Sequence, residues 1–367
     1  MLKHLKRKTQ AQRKDNKISL ILTSSLLLTV VGLFFIFEAS SVTAFRNLGD
    51  SFFFLRLQLI WFMVGIGSLI FFSFFDYKKL YYLSVPILTL SLILLFAVLI
   101  PGIGTSVLGA RRWINLGFVT IQPSELAKFG VILYLASWFS HKERHRFVPF
   151  VLLLGIIIGL VMAQPDMGTA VIIFGLFLVI YFLSEQEILY LFLLIPSALF
   201  SFIVLVRISP YRLKRLTAFL NPEHDPQGVG YHINQILISL SSGGIFGRGF
   251  SESRQKYQFL PEAHTDSIFA IIGEELGFVG GAVLFFLYFL LMYYSYQIAL
   301  EAKTKFGRLL AGAFFAVFAL QVIINIGGMV SLIPLTGVPL PFVSYGGSSL
   351  VVFLTMIGIL INIRSQS

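Results

Sequence analysis

The hydrophobic positions of this chain arrive in long unbroken blocks, not in the period-two alternation of a half-buried strand. Blocks of bilayer-spanning length fall at about 19–37, 57–75, 80–100, 121–140, 148–164, 168–184, 188–206, 267–296, 308–332 and 344–363. A spanning segment must satisfy its own backbone hydrogen bonds, and blocks this long select helices over a lipid-facing barrel. The pattern predicts an all-α integral membrane protein of about ten transmembrane helices. The fifth and sixth blocks are separated only by Gln164-Pro165-Asp166-Met167, read as a tight turn.

The polar stretches divide the chain further. Residues 1–18 form a basic tail, helices 1–7 occupy 19–206, a long loop covers 207–266, and helices 8–10 occupy 267–367. A loop of that length is usually functional or carries structure of its own. Two amphipathic pieces, Pro210–Leu220 and Tyr231–Leu240, are predicted as helices lying on the outer leaflet. Ser241–Gly249 is predicted as a flexible turn, without the spacing or the preceding strand of a nucleotide-binding loop.

Composition agrees with the pattern. Hydrophobic residues make up 57% of the chain and charged ones 12%, where a soluble domain is about a quarter charged. With no Cys, disulfides and thiolate metal sites are excluded. The net charge of +11 fits topogenic loops and anionic lipid head groups, and no nucleic-acid partner is expected. Met1–Lys17 is basic and no small-residue cleavage site follows it, so it reads as a cytoplasmic tail and not a signal peptide. With that end inside, Lys78, Lys79, Lys142, Arg144, Arg146, Lys303, Lys305 and Arg308 fall in cytoplasmic loops. Both termini are then cytoplasmic and the 207–266 loop is extracytoplasmic.

Charges at membrane depth ask for a reason. Glu125 and Lys128 share a face of the fourth helix, as a site or as a self-neutralising pair. Arg111-Arg112-Trp113 is either an interfacial anchor or a phosphate clamp. Asp166 is either a helix cap or a site residue. Glu38 and Asp50 are placed in the first outer loop with no role attached. The densest polar cluster is Leu260-Pro-Glu-Ala-His-Thr-Asp266, which runs into a helix containing Gly273-Glu-Glu-Leu-Gly277. Capping needs one of these carboxylates, and a carboxylate raised in pKa by apolar surroundings makes a general base. Pro339–Ser349 opens the last helix with small residues that permit close backbone approach. The residues alone describe an outward-facing charged cavity under a basic loop, suited to an anionic lipid-linked ligand or to a small-solute transporter.

Taken together the motifs resemble the SEDS family (shape, elongation, division, sporulation), which includes FtsW, RodA and SpoVE. The resemblance rests on Gly109–Ile114, Gln122–Lys128, Gln164–Ala170, Gly230–Gln235, Leu260–Asp266, Gly273–Gly277 and Pro339–Ser349, in the family's order. It implies a peptidoglycan glycosyltransferase that polymerises lipid II at the outer face of the bacterial cytoplasmic membrane. It implies a class B penicillin-binding protein as partner through membrane helices, beside other divisome or elongasome proteins. It implies Asp266 as the catalytic carboxylate, and substrate-binding roles for Arg112, Glu125, Lys128, Gln164, Asp166, His264, Glu275 and Ser344. The Ser253-Arg-Gln-Lys256 run looks closer to the division branch, FtsW, than to RodA. An inverting single displacement is expected, with the pyrophosphate charge met by Arg112, Lys128 and the basic loop, or by a divalent cation such as Mg or Mn. No organic cofactor is expected. A lipid II flippase and a non-catalytic scaffold for the transpeptidase are the rival functions.

Overall fold

The structure is a computed structural model that describes residues 2–107, 109–117, 119–141, 147–222, 228–256 and 260–367. Its helices are α1 (Leu2–Leu48), α2 (Phe53–Phe74), α3 (Leu80–Ala97), α4 (Pro123–Ser140), α5 (Phe147–Ala163), α6 (Met167–Leu183), α7 (Leu189–Ile208), α8 (Pro210–Leu220), α9 (Val229–Gly243), α10 (Ile268–Glu301), α11 (Lys305–Met329) and α12 (Gly347–Gln366). Each predicted apolar block coincides with one of α1–α7 or α10–α12, and α8 and α9 occupy the long loop. Among the described residues, six helices are long and apolar enough to cross a membrane, and α5, α6 and part of α7 are shorter apolar helices. The chain is a helical multi-pass membrane protein. Lys142, Arg144 and Arg146 lie outside the described residues.

The bundle is built around α11 and α12, with 78% of their most apolar windows buried against 17% for α2. Lipid tails are as apolar as leucine, so packing and polar contacts, not water exclusion, hold such helices together. The small residues of α11 serve this inner packing. Gly312 faces Leu183, Gly307 faces Tyr77 and Gly328 faces Leu335.

One end of the bundle gathers both chain ends. Glu301, at the foot of α10, accepts from Lys17 Nζ at 2.6 Å and from Arg364 Nη1 at 2.5 Å. Asp266 precedes the other end of α10 and therefore lies at the opposite pole.

Four local features differ from the sequence reading. Helix α1 runs on to Leu48, so Glu38 is not in an outer loop but buried on a helix. The loop before α4 carries an antiparallel sheet of β1 (Gly104–Val107), β2 (Ala110–Asn115) and β3 (Thr120–Ile121). Strands this short leave no readable period. Helix α9 turns Ile233 and Ile236 into the protein, and Ser239 Oγ donates to Ala270 O at 2.9 Å. Through that face it packs on α10. The glycine tract is not a free turn either. Gly277 adopts φ 64°, which breaks α10 internally. The interrupted backbone is satisfied by the tract, with Arg248 N and Gly249 N donating to Glu274 O and Glu275 O, and Phe278 N and Val279 N donating to Gly244 O and Ile245 O. A break at membrane depth is tolerated only where other backbone re-satisfies the freed groups.

Candidate functional site

Asp266 sits in the last turn of the long loop, immediately before α10, and is half-buried. The turn closes on itself, with Thr265 N and Ser267 N donating to Glu262 O. Thr265 Oγ1 reaches Glu262 Oε2 at 2.9 Å and Asp266 Oδ1 at 3.3 Å. Burial, then the neighbouring Glu262 charge, pushes the Asp266 carboxyl up to about 6, while Arg215 pulls the other way. His264 belongs to the same turn. Its ring lies against Phe54 and Tyr345, and burial lowers its pKa. From α9, His232 shares a 2.8 Å hydrogen bond with Ser267 Oγ. Burial, helped by Arg215, pushes His232 down to about 4. The result is a protonatable carboxylate beside two imidazoles whose pKa values are lowered by burial, at the pole opposite Glu301.

The segment between α11 and α12 forms a strap beside this turn. Gly337 has φ 72°, and a side-chain carbon added there would come within 3.5 Å of Asp266 Oδ2. The carboxylate therefore lies against bare backbone. Four side chains hold the strap's carbonyls, one of them Tyr288 of α10, whose hydroxyl donates to Pro341 O. Arg215 Nη1 donates to Leu335 O at 3.1 Å, Asn325 Nδ2 to Val338 O at 2.8 Å, and Gln321 Nε2 to Pro339 O at 3.3 Å.

A cavity of about 220 Å³ is lined by Arg112, Arg212 and Arg215 together with Val171, Val206, Ile324 and the strap residues Ile333 and Leu335. Cationic forks and apolar walls from α6, α7 and α11 suit a lipid bearing a phosphorylated head. Arg112 reaches it from β2, its Nε donating to Gln164 O at 3.2 Å and its Nη2 to Pro165 O.

The other residues singled out by sequence divide into two groups. Lys128 and Glu125 pair at 2.8 Å with side chains 1% and 2% exposed. Lys128 also donates to Gln321 Oε1 at 3.0 Å, so the pair supports the strap from below. Gln164 is buried and donates to Leu95 O at 3.0 Å. Asp166 caps α6 through Thr169 N and Thr169 Oγ1. Ser344 Oγ accepts from Leu340 N at 2.8 Å in the turn before α12. Glu275 stands apart from Asp266. It shares Lys256 with Glu38, at 3.5 and 2.9 Å, in a buried triad that ties the long loop to α1 and α10. Next to it, Glu274 accepts from Ser253 Oγ at 2.6 Å and from Arg254 N and Gln255 N.

Gln321 and Asn325 were missed by motif reading, and Arg212 and Arg215 entered it only as part of the basic loop. The arginines are three apart on the basic side of α8, and Gln321 and Asn325 are four apart on an otherwise apolar helix. Polar residues at that spacing and depth were the available signal. Among the described residues, no three His, Asp or Glu side chains gather closely enough to hold a metal ion. Mg²⁺ is usually held by one or two carboxylates together with waters and substrate phosphates, and Glu262 and Asp266 are the carboxylates of this turn that would hold one beside a phosphorylated substrate.

Comparison with known proteins agrees with this architecture. The chain is similar to stage V sporulation protein E of Bacillus subtilis, 40% identical over 97% of this chain and 99% of that one. It is 42% identical to the probable peptidoglycan glycosyltransferase FtsW of Trichlorobacter lovleyi, over 94% and 92% of the two chains. Among solved structures, a chain of a peptidoglycan synthase complex that coordinates polymerization and crosslinking matches with a TM-score of 0.78 at 28% identity, covering 94% and 97%. The rod shape determining protein RodA of Thermus thermophilus matches with a TM-score of 0.68 at 26% identity, covering 94% and 96%. Residues 18–367 match the cell cycle protein family of FtsW, RodA and SpoVE. With a match running from the first membrane helix to the last residue, the chain belongs to that family.

Proposed function

We propose that this chain is a peptidoglycan glycosyltransferase of the division type, polymerising lipid II with Asp266 as its general base. One observation carries the reading. A half-buried carboxylate held near pKa 6 stands at the pole opposite Glu301, within reach of the charge of Arg215, which lines the lipid-suited cavity. In the reaction the acceptor sugar's 4-hydroxyl oxygen attacks the anomeric carbon of the donor. A new C–O bond forms there, the bond to pyrophosphate breaks, and its electron pair leaves with the polyprenyl pyrophosphate. The hydroxyl proton passes to Asp266. Arg112, Arg212 and Arg215 absorb the charge that grows on the leaving group. The donor is α-linked and the product β-linked, so one displacement inverts the centre and a single base suffices.

The active site then faces the outside of the bacterial cytoplasmic membrane and both termini face the cytoplasm. The partner is a class B penicillin-binding protein. Its membrane helix packs on the lipid face of α10, where Phe278, Val283, Phe286 and Phe289 are exposed. The small residues Gly307, Ala311, Gly312 and Ala313 of α11 are turned into the bundle.

The test is polymerisation of purified lipid II, with and without the partner. Asp266 does not cap α10, whose N-cap position is Ser267 with no side-chain bond, so Asp266→Asn is expected to fold and insert normally but to lose about 10²–10⁴-fold in rate. A variant that kept more than about a tenth of the wild-type rate would move the base to Glu262. A flippase or scaffold would make no polymer even as wild type.

A further inference from the structure

The base needs a fixed place as well as a raised pKa, and one side chain of α11 touches the backbone on both sides of it. Asn325 is 3% exposed. Its Nδ2 donates to Asp266 O and to Val338 O, both at 2.8 Å. The first carbonyl belongs to the turn that carries the carboxylate. The second belongs to the strap, one residue beyond Gly337, whose backbone faces Asp266 Oδ2. Both carbonyls lie outside helix and sheet. A single amide nitrogen with two protons spans them. The strap's other side-chain holds, through Arg215, Gln321 and Tyr288, do not include Asp266.

We propose that Asn325 is the positioning residue for Asp266, acting through the aspartate's own carbonyl to hold the carboxylate against the strap. It touches no substrate and is not a catalytic residue. The proposal rests on Asp266 being the base. An amide is what the position demands: an aspartate would turn acceptors toward two carbonyls, and a leucine would leave both carbonyls unpaired in a buried site.

If Asn325 only stabilised the fold, its loss would lower the amount of folded protein without changing what each folded molecule does. If it positions the base, folded Asn325→Leu protein turns over more slowly, because misplacement of a reacting group by about 1 Å costs on the order of 10²-fold. The KM for lipid II stays near wild type, since Arg112, Arg212 and Arg215 are untouched. The pH profile moves as well. Asp266 is faced by Glu262 and Thr265 of its own turn, His264 beside it, Arg215 of α8, and His232 of α9 through Ser267. From Leu309 to Ser344 there is no titratable side chain, so α11 contributes only Lys305 and Arg308 at its far end and the strap only Tyr345, whose ring meets His264. A released carboxylate takes up water and loses part of the burial that raises it, so the acid limb shifts to lower pH.

The experiment measures kcat, KM and the acid midpoint of lipid II polymerisation for wild type, Asn325→Leu and Asn325→Ser, with Asp266→Asn alongside. The expected result is a kcat at least tenfold lower, KM within about twofold, and a midpoint lower by half a pH unit or more in either folded Asn325 variant. Wild-type kcat and midpoint in a folded variant would overturn the proposal. So would failure of both variants to fold, which would make Asn325 a fold residue. If Asp266→Asn is inactive while the Asn325 variants behave as wild type, the positioning role falls and the base stands. If Asp266→Asn is active, the base reading itself has failed.

Discussion

A carboxylate works as a base only when it is unprotonated as substrate arrives. Asp266, raised to about 6, loses its proton as pH climbs through that value. Polymerisation is therefore expected to fall on the acid side of pH 6. Arg215 is the cation that pulls this pKa down, so its removal should move the midpoint of that limb upward. Arg215→Ala should also weaken lipid II use by about 1–3 kcal/mol, as for other charge-assisted hydrogen bonds. A pH–rate profile with an unmoved midpoint would detach Arg215 from the carboxylate. Lys128 predicts a different outcome. Removing one partner of a buried ion pair leaves the other uncompensated and costs about 3–5 kcal/mol. Lys128→Ala should therefore melt earlier in detergent or fail to accumulate, and the neutral pair Glu125→Gln with Lys128→Met should recover most of the loss. A Lys128→Ala protein that melts like wild type but uses lipid II poorly would return Lys128 to the role of a ligand clamp. At this scale the sequence made Asp266, Arg112 and the Glu125–Lys128 pair legible, because each sits in a compact motif. It hid Asn325, whose two partners lie 59 and 13 residues away. It also hid Glu38, whose cation, Lys256, is 218 residues on.

Among the elements, the long helices were readable because a bilayer imposes both length and apolarity. The small sheet before α4 was not, since strands of two to six residues carry too few alternations to register. The break in α10 was half-readable. Gly277 is visible in sequence, but its left-handed φ follows from the tract of residues 244–249 docking alongside. A side-chain carbon at 277 would strike Gly247 N and Ile245 O. Gly277→Ala thus meets both a strained backbone and a closed space, and should destabilise the protein by about 1–3 kcal/mol. Thermal unfolding in detergent tests this. An unchanged melting temperature would mean the two strands of backbone part without penalty.

The molecule as a whole has a polarity that the ion cluster at Glu301 makes concrete: Lys17 and Arg364 at one pole, Asp266 at the other. Reporters fused after Lys303 are expected to read cytoplasmic, and those in the 207–222 stretch external. An external signal at Lys303 would invert the proposed orientation. The same axis runs along α10, and its break turns that helix into a two-armed lever. Below Gly277 the arm is a rod of about 36 Å, at 1.5 Å per residue, with exposed aromatic rings along its lipid side. Above it a short arm ends beside Asp266, pinned by the backbone of 244–249. If the partner proposed above grips the long arm from the lipid side, it would apply torque about a single glycine, and what would leave the short arm is a tilt of the carboxylate against the strap. Chain growth and crosslinking would then be geared together mechanically, through one kinked rod and with no messenger passing between the two enzymes.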